Sequence, residues 1–341
     1  MHFSIKKIFP FLFLAILSFG ATAAPPPDWH DNAVFVMPDV GRKTWINAIN
    51  NAEETIHMAA YKLSDPAILD SLKKAHERNV KINLLIEDFI FEHAGSSNVK
   101  SPIEAFKEFA TVYTLPKRRF NQAHSKMIVV DKEWGLISTG NLDAESFDGI
   151  PEKNIPAARD FAVPILQIPI IDEMLRVFVA DVNDKDVTPE NRPLVFGPDH
   201  QRNTFLSLFN KAQREIKIYQ QDFQDKELAE AACRAAKSGV KVQVLMMPFP
   251  FGKEIDRNIP NQNLMKEAGV DIGLFEKLYV HAKIIIVDGK EMYLGSGNFY
   301  TPAIDGTREL GILIENPEQI AIVEDQFEKD WAQATINPDR H

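Results

Sequence analysis

Asn79-Val-Lys-Ile-Asn-Leu-Leu-Ile86 and Gly239-Val-Lys-Val-Gln-Val-Leu-Met246 are one stretch written twice, 160 residues apart. Each is an apolar, largely β-branched run of strand length, the kind buried on both faces of a sheet. Upstream at the same offset, Ala52-Glu-Glu-Thr-Ile-His-Met-Ala-Ala-Tyr61 meets Ala212-Gln-Arg-Glu-Ile-Lys-Ile-Tyr-Gln-Gln221. There a helical pattern leads into a β-like run. Between the two strands of each copy the pattern predicts a helix, Pro66 to Arg78 and Lys226 to Ser238, closed by Asn79 or Gly239. Strands alternating with helices imply a sheet covered by helices, so the fold class is α/β. A period near 160 makes this a duplicated unit rather than a short-repeat solenoid. The polar, proline-bearing stretch 183–198 reads as a linker, between one repeat over 28–182 and another over 199–335.

The chain has 341 residues, 45% hydrophobic and 25% charged, enough for two units with real cores. Those values exclude disordered, collagen-like and disulfide-scaffold classes. With 38 basic against 48 acidic side chains the net charge is -10. That argues against a dedicated nucleic-acid binder, whose affinity comes from clustered Lys and Arg. The lone Cys233 offers neither an intramolecular disulfide nor a Cys-based metal cluster, and is expected as a packed thiol among helix alanines. Lys6 and Lys7, the apolar run Ile8 to Phe19 and the small residues Gly20 to Ala24 read as a signal peptide over 1–23, cleaved after Ala23. An exported protein, secreted or periplasmic, is therefore expected.

The chemistry-bearing residues are also duplicated. His124-Ser-Lys126-Met-Ile-Val-Val-Asp131 is followed by Ser138-Thr139-Gly140-Asn141, and His281-Ala-Lys283-Ile-Ile-Ile-Val-Asp288 by Gly295-Ser296-Gly297-Asn298. His and Lys two apart on a strand point to one face. The next strand then brings a hydroxyl and a carboxamide beside them. Two halves facing each other would pool two imidazoles, two ammoniums and two amides. That set suits a tetrahedral anionic group, with one His attacking and the other donating a proton. Each half also supplies an acid after an arginine, Arg159-Asp160 and Arg308-Glu309, suited to holding an imidazole tautomer. His57, His76, His93 and His200 show no metal-ligand spacing, and no metal or cofactor is expected.

With these motifs the chain resembles the phospholipase D superfamily, whose mark is a paired H-x-K-x4-D motif with a downstream G-S-x-N. The resemblance covers nearly the whole chain after residue 23. It implies a duplicated phospholipase D-like fold, two similar α/β sandwich units with the active site at their interface. It also implies a two-step, metal-independent phosphodiester reaction through a phosphohistidine. One of His124 and His281 is then the nucleophile, with His124 expected in that part, and the other is acid and base. Asp160 and Glu309 would serve the histidines. Lys126, Lys283, Asn141, Asn298, Thr139 and Ser296 would bind the phosphate, and Asp131 and Asp288 would be structural.

Two departures stand out from the family pattern. Ser138-Thr139 stands where Gly-Ser is favoured, and Asp160 where Glu is usual. The longer Asn-to-acid spacing of the first half puts extra residues around 148–156, expected to line the pocket. The leading functional expectation is a phospholipase D that hydrolyses a phospholipid headgroup phosphodiester to phosphatidic acid. Alternatives are a metal-independent endonuclease, which would need a basic groove, a phosphatidyl transferase of cardiolipin synthase type, and a non-enzymatic effector retaining the fold. The expected partner is a phospholipid or other phosphodiester rather than nucleic acid, with no obligate protein partner. Asp88-Phe-Ile-Phe91 and Pro248-Phe-Pro-Phe251 follow equivalent strands; core or loop packing is the first reading, transient contact with an acyl chain or membrane surface the second. Lys117-Arg-Arg119 reads as a solvated loop end.

Overall fold

The computed structural model describes residues 24–88, 102–190, 192–250 and 255–340. The expected signal peptide, Phe89 to Phe91, His93 and Phe251 lie outside the described residues.

The first half contributes strands β1 (Phe35–Met37), β2 (Thr55–Ala60), β3 (Lys81–Ile86), β4 (Thr111–Tyr113), β5 (Met127–Val130), β6 (Trp134–Ser138) and β7 (Ala158–Ile165). Among the described residues they form a sheet in the order β1-β7-β6-β5-β2-β3-β4. The second half contributes β8 (Leu194–Gly197), β9 (Glu215–Tyr219), β10 (Lys241–Met246), β11 (Asp271–Leu274), β12 (Tyr279–Val280), β13 (Ile284–Val287), β14 (Glu291–Gly295), β15 (Glu309–Ile314) and β16 (Thr335–Ile336). Its sheet runs β16-β11-β10-β9-β13-β14-β15-β8, which repeats the first order with β16 added at one edge. The exception is β12, which leaves its own half and pairs in parallel with β7.

The repeated stretch β3/β10 lies parallel to β2/β9, a pairing that requires a crossover helix. The helices are Pro66–Glu77 and Lys226–Lys237, ending one residue before the expected termini. Asp65 caps the first by accepting from the N–H groups of Ala67 and Ile68, and Asp225 caps the second through Leu228 N–H. Both end where Asn79 (φ 71°) and Gly239 (φ 94°) turn left-handed. The expected linker carries a strand: Leu194-Val-Phe-Gly197 is β8, hydrogen-bonded to β15. Its flanking prolines, Pro193 and Pro198, made the stretch read as irregular, yet proline is tolerated at the margins of an edge strand.

Three cores result. One packs the first sheet against the helices Lys43–Asn50 and Pro66–Glu77, and its counterpart packs the second sheet against Gln201–Lys211 and Lys226–Lys237. The third is shared: Val129, Ile137 and Phe161 of the first half join Ile284, Ile286 and Leu294 of the second. The helices Ile168–Val182 and Pro317–Trp331 enter it through Met174, Val177, Val323 and Phe327. The inner faces of both sheets are thus dry, which places the halves against each other across their motif strands. Cys233 is a buried thiol in its helix, as expected. No helix among the described residues is long and apolar enough to cross a membrane.

Candidate active site

The motif residues stand just before their strands rather than within them, because β5 begins at Met127 and β13 at Ile284. The partner half claims the segment upstream. His124 N–H donates to Arg308 O at 2.9 Å, and His281 N–H to Arg159 O at 3.2 Å. Each motif therefore runs beside the acid-bearing strand of the other half, which decides how acid and imidazole combine. His124 Nδ1 lies 2.9 and 2.8 Å from the Glu309 carboxyl oxygens, and His281 Nδ1 lies 3.0 Å from both oxygens of Asp160. The pairs are crossed: each half lends its carboxyl to the other half's histidine. A carboxyl at Nδ1 sets the tautomer and turns Nε2 away from it.

Behind the imidazoles lie the two ammoniums. Lys126 Nζ donates to His124 O at 2.6 Å and Lys283 Nζ to His281 O. Both lysines are 0% exposed, and among the described residues neither ion-pairs with a carboxylate. Burial pushes Lys126 well below its ordinary pKa and brings Lys283 down to about 8. Burial likewise holds His124 well below the ordinary histidine value, with Lys126 and Lys283 adding to the effect. His281 is lowered by burial too, but Asp160 opposes that. The two acids differ. Burial pushes Glu309 up to about 8. Burial also works to raise Asp160, yet His281, Lys283 and the Thr139 hydroxyl outweigh it and hold the carboxyl below its usual range.

Both histidines face a cavity of about 720 Å³. Asn141 and Asn298 line it too, each with an unpaired, buried carboxamide oxygen. The extra residues of the first half reach it as expected, through Ile150, Asn154, Ile155 and Pro156. Phe249 lines the rim and is 42% exposed. Thr139 and Ser296 require a correction, since neither hydroxyl faces the cavity. Thr139 Oγ1 donates to Asp160 at 2.6 Å and accepts from Phe161 N–H; Ser296 Oγ donates to Leu310 O and accepts from Leu310 N–H. Each hydroxyl stands one residue past the end of its strand, where the adjoining acid strand takes it, and the chain then turns so that the asparagine two residues on faces the cavity. Asp131 and Asp288 stand away from the chemistry. Each caps a run of backbone N–H groups, Glu53 to Thr55 and Gln213 to Glu215.

Two features escaped the sequence reading. Arg159 and Arg308 served there only as landmarks, yet both are buried and reach across to the other half. Arg159 grips Asp330 with Nε–Oδ2 at 2.8 Å and Nη2–Oδ1 at 3.2 Å, and Arg308 grips Asp181 with Nε–Oδ2 at 2.9 Å and Nη2–Oδ1 at 3.0 Å. Asp181 and Asp330 are 149 apart, as are the two arginines, and that shared offset was the available signal. Tyrosines are the second feature. Tyr61 packs edge-on to His124 at 4.6 Å, and Tyr279 lies 6.4 Å from His281. Lys117, Arg118 and Arg119 are not a free basic edge, because they pair with Glu87, Asp88 and Asp184. Among the described residues no group of three or more His, Cys, Asp or Glu side chains is placed to hold a metal ion.

Duplicated α/β halves that exchange acids across a shared two-histidine cavity define a class of protein by themselves. A family model described as cardiolipin synthase, PLD-like domain matches residues 45–165 and again 205–331, and the chain belongs to this phospholipase D-like enzyme family. A cardiolipin synthase from Clostridium perfringens (strain SM101 / Type A) is 27% identical, the match covering 85% of this chain and 68% of that protein. Among solved structures, a phosphatidylserine synthase from Haemophilus influenzae Rd KW20 matches with a TM-score of 0.69 at 14% identity, covering 91% of this chain and 88% of the other. A polyphosphate kinase from Porphyromonas gingivalis matches at 0.65 and 12% identity, covering 87% of this chain but 46% of that one. Both structural likenesses bear on the fold alone.

Proposed function

We propose that this protein transfers a phosphatidyl group from a phospholipid to an alcohol, by double displacement through a phosphohistidine. In the first step His124 Nε2 forms a bond to phosphorus as the P–O bond to the headgroup breaks, and His281 gives its proton to the departing oxygen. In the second an alcohol attacks phosphorus, His281 takes its proton, and the P–N bond breaks. The different acids support this division. A general acid needs a carboxylate that stays ionised beside it, which Asp160 supplies to His281. A nucleophile needs a neutral imidazole, and His124 is the more strongly depressed of the two.

The observation that carries the lipid reading is the cavity wall. Ile150, Ile155, Met247, Phe249 and Ile255 give it apolar surface, and the acids Asp143, Glu145 and Asp222 on it outnumber the bases Lys62 and Arg257. A polyanionic nucleic acid would be disfavoured by that acidic excess and would find Lys117 to Arg119 already paired. The relatives named as cardiolipin synthases support transfer over the hydrolysis to phosphatidic acid that leads the sequence reading. Export through residues 1–23 belongs to the same proposal and is checked by cell fractionation with amino-terminal sequencing. For the reaction, protein in EDTA is given phosphatidylglycerol vesicles in one tube and plasmid DNA in another. A diphosphatidyl product with released glycerol is expected, lost in His124→Ala and in His281→Ala. Phosphatidic acid as the sole lipid product refutes transfer, and DNA cleavage without lipid turnover refutes the lipid substrate.

A further inference from the structure

The two halves place opposite charges at one equivalent position. Lys62 O accepts from Leu142 N–H at 3.0 Å, and Asp222 O accepts from Phe299 N–H at 2.9 Å, so residues 62 and 222 occupy matching sites. The matching bridges Leu63–Leu142 and Phe223–Phe299 confirm the correspondence. Both residues follow a central strand at its carboxyl end, where ligands of α/β sheets bind. In the first half Lys62 has a counter-charge, with Nζ 3.7 Å from Asp143. In the second half Tyr300 stands where Asp143 does, and Asp222 has no ion pair among the described residues.

Asp222 is nonetheless buried, 4% exposed, and lines the cavity. One oxygen accepts from Gln224 Nε2 at 2.7 Å, and the other has no hydrogen bond among the described residues. Burial raises its pKa to about 6; Asp256 also pushes it up, while Arg257 and Lys283 pull it down. The second oxygen is therefore left for a group that enters the cavity. Nothing in the two-step chemistry above uses this group. Gln221, the residue before it, donates to Tyr279 OH at 2.8 Å, and Tyr279 lies 6.4 Å from His281, which puts Asp222 on the His281 side, where the departing headgroup receives its proton.

We propose that Asp222, with Gln224 and Tyr300, forms the subsite that binds the hydroxyl groups of a neutral polyol headgroup. Amide, phenol and carboxyl groups together offer both donors and acceptors, which hydroxyls match and an ammonium, all donor, does not. Arg257 and Lys283 offset the charge of Asp222, so a cationic headgroup finds no uncompensated carboxylate there. An anionic headgroup meets Asp222 itself. The entering alcohol passes through the same place in reverse, so one subsite selects both leaving and accepting groups. This inference rests on the phospholipid reading but not on transfer being favoured over hydrolysis.

The test compares headgroup release from vesicles of phosphatidylglycerol, phosphatidylethanol and phosphatidylethanolamine, for the wild type, Asp222→Asn and Asp222→Ala. Release is scored whichever lipid product forms. The wild type is expected to favour phosphatidylglycerol over phosphatidylethanol by about tenfold or more in kcat/KM, the scale of a hydroxyl bonded to a charged acceptor. Both variants should compress that ratio to about twofold. Asp222→Asn keeps the side chain's shape and guards against a fold defect in Asp222→Ala. An unchanged ratio in the variants overturns the subsite, even if overall rates fall. So does a wild-type preference for phosphatidylethanolamine. Phosphatidic acid as sole product, with the ratio behaving as expected, refutes transfer and leaves the subsite standing. No turnover of any of the three lipids overturns both readings.

Discussion

Replacing Asp330 by asparagine removes the charge that anchors Arg159 across the two halves while keeping the side chain's size. Asp330 is 1% exposed and Arg159 5%. The guanidinium has Met37 O at 2.8 Å as its other close partner. Tyr219 OH also donates to Asp330 at 2.8 Å, so the carboxylate is a hub. Removing one partner of a buried, hydrogen-bonded ion pair costs about 3–5 kcal/mol, chiefly by stranding the other charge. Against a total stability of about 5–15 kcal/mol this is a large share. At about 2–4 °C per kcal/mol it lowers Tm by roughly 10 °C. Activity should fall as well. Arg159 precedes Asp160 on β7, and a catalytic group displaced by about 1 Å can cost on the order of a hundredfold in rate. The assay is calorimetric unfolding and steady-state kinetics of Asp330→Asn, Arg159→Met and the double variant Arg159→Met/Asp330→Asn. The double variant should recover most of the lost stability, since no buried charge is left unpaired. A loss under about 1 kcal/mol in Asp330→Asn, or double-variant losses equal to the sum of the singles, would refute the reasoning.

Asp160→Asn should cost at least about a thousandfold in kcat, because an amide that donates to Nδ1 enforces the wrong imidazole tautomer; Thr139→Val, which removes one hydrogen bond to the same carboxyl, should cost nearer tenfold. Equal effects from the two would contradict the assigned geometry. Lys283 carries its charge below about pH 8 and loses it above, so turnover should decline as pH rises through that value. Lys283→Arg, which stays protonated, should lose that alkaline limb whatever its rate, and a limb that persists points to another group. Asp288→Ala should destabilise by about 1–3 kcal/mol by uncapping backbone N–H groups. The folded pKa of Asp288 is lowered, so its contribution is complete above the unfolded carboxyl value of about 3.9 and is lost as pH falls through the folded one. Urea melts of wild type and variant should therefore converge in acid; a gap that stays constant to pH 2 would count against the capping account.

Much of the site was legible because it is built from short spacings. His124 and Lys126, or Gly297 and Asn298, are neighbours in the chain, and local backbone geometry carries them together wherever the strand goes. The placing of the Thr139 and Ser296 hydroxyls was not legible because their partners, the Asp160 carboxyl and the Leu310 backbone, belong to another strand. β8 was missed because two flanking prolines masked a four-residue edge strand.

The sequence by itself determined that the chain is a duplicated α/β protein with two copies of one chemical kit. Those facts rest on period, residue type and spacing, all of which survive without a fold. It could not determine that the halves trade acids, so that Glu309 serves His124 and Asp160 serves His281. Nor could it show that Arg159 and Arg308 clasp the opposite half, or that residues 62 and 222 face one cavity with opposite charge. Those contacts join residues more than a hundred positions apart. They exist only because the dry inner faces of two sheets bury each other and bring the motif strands side by side.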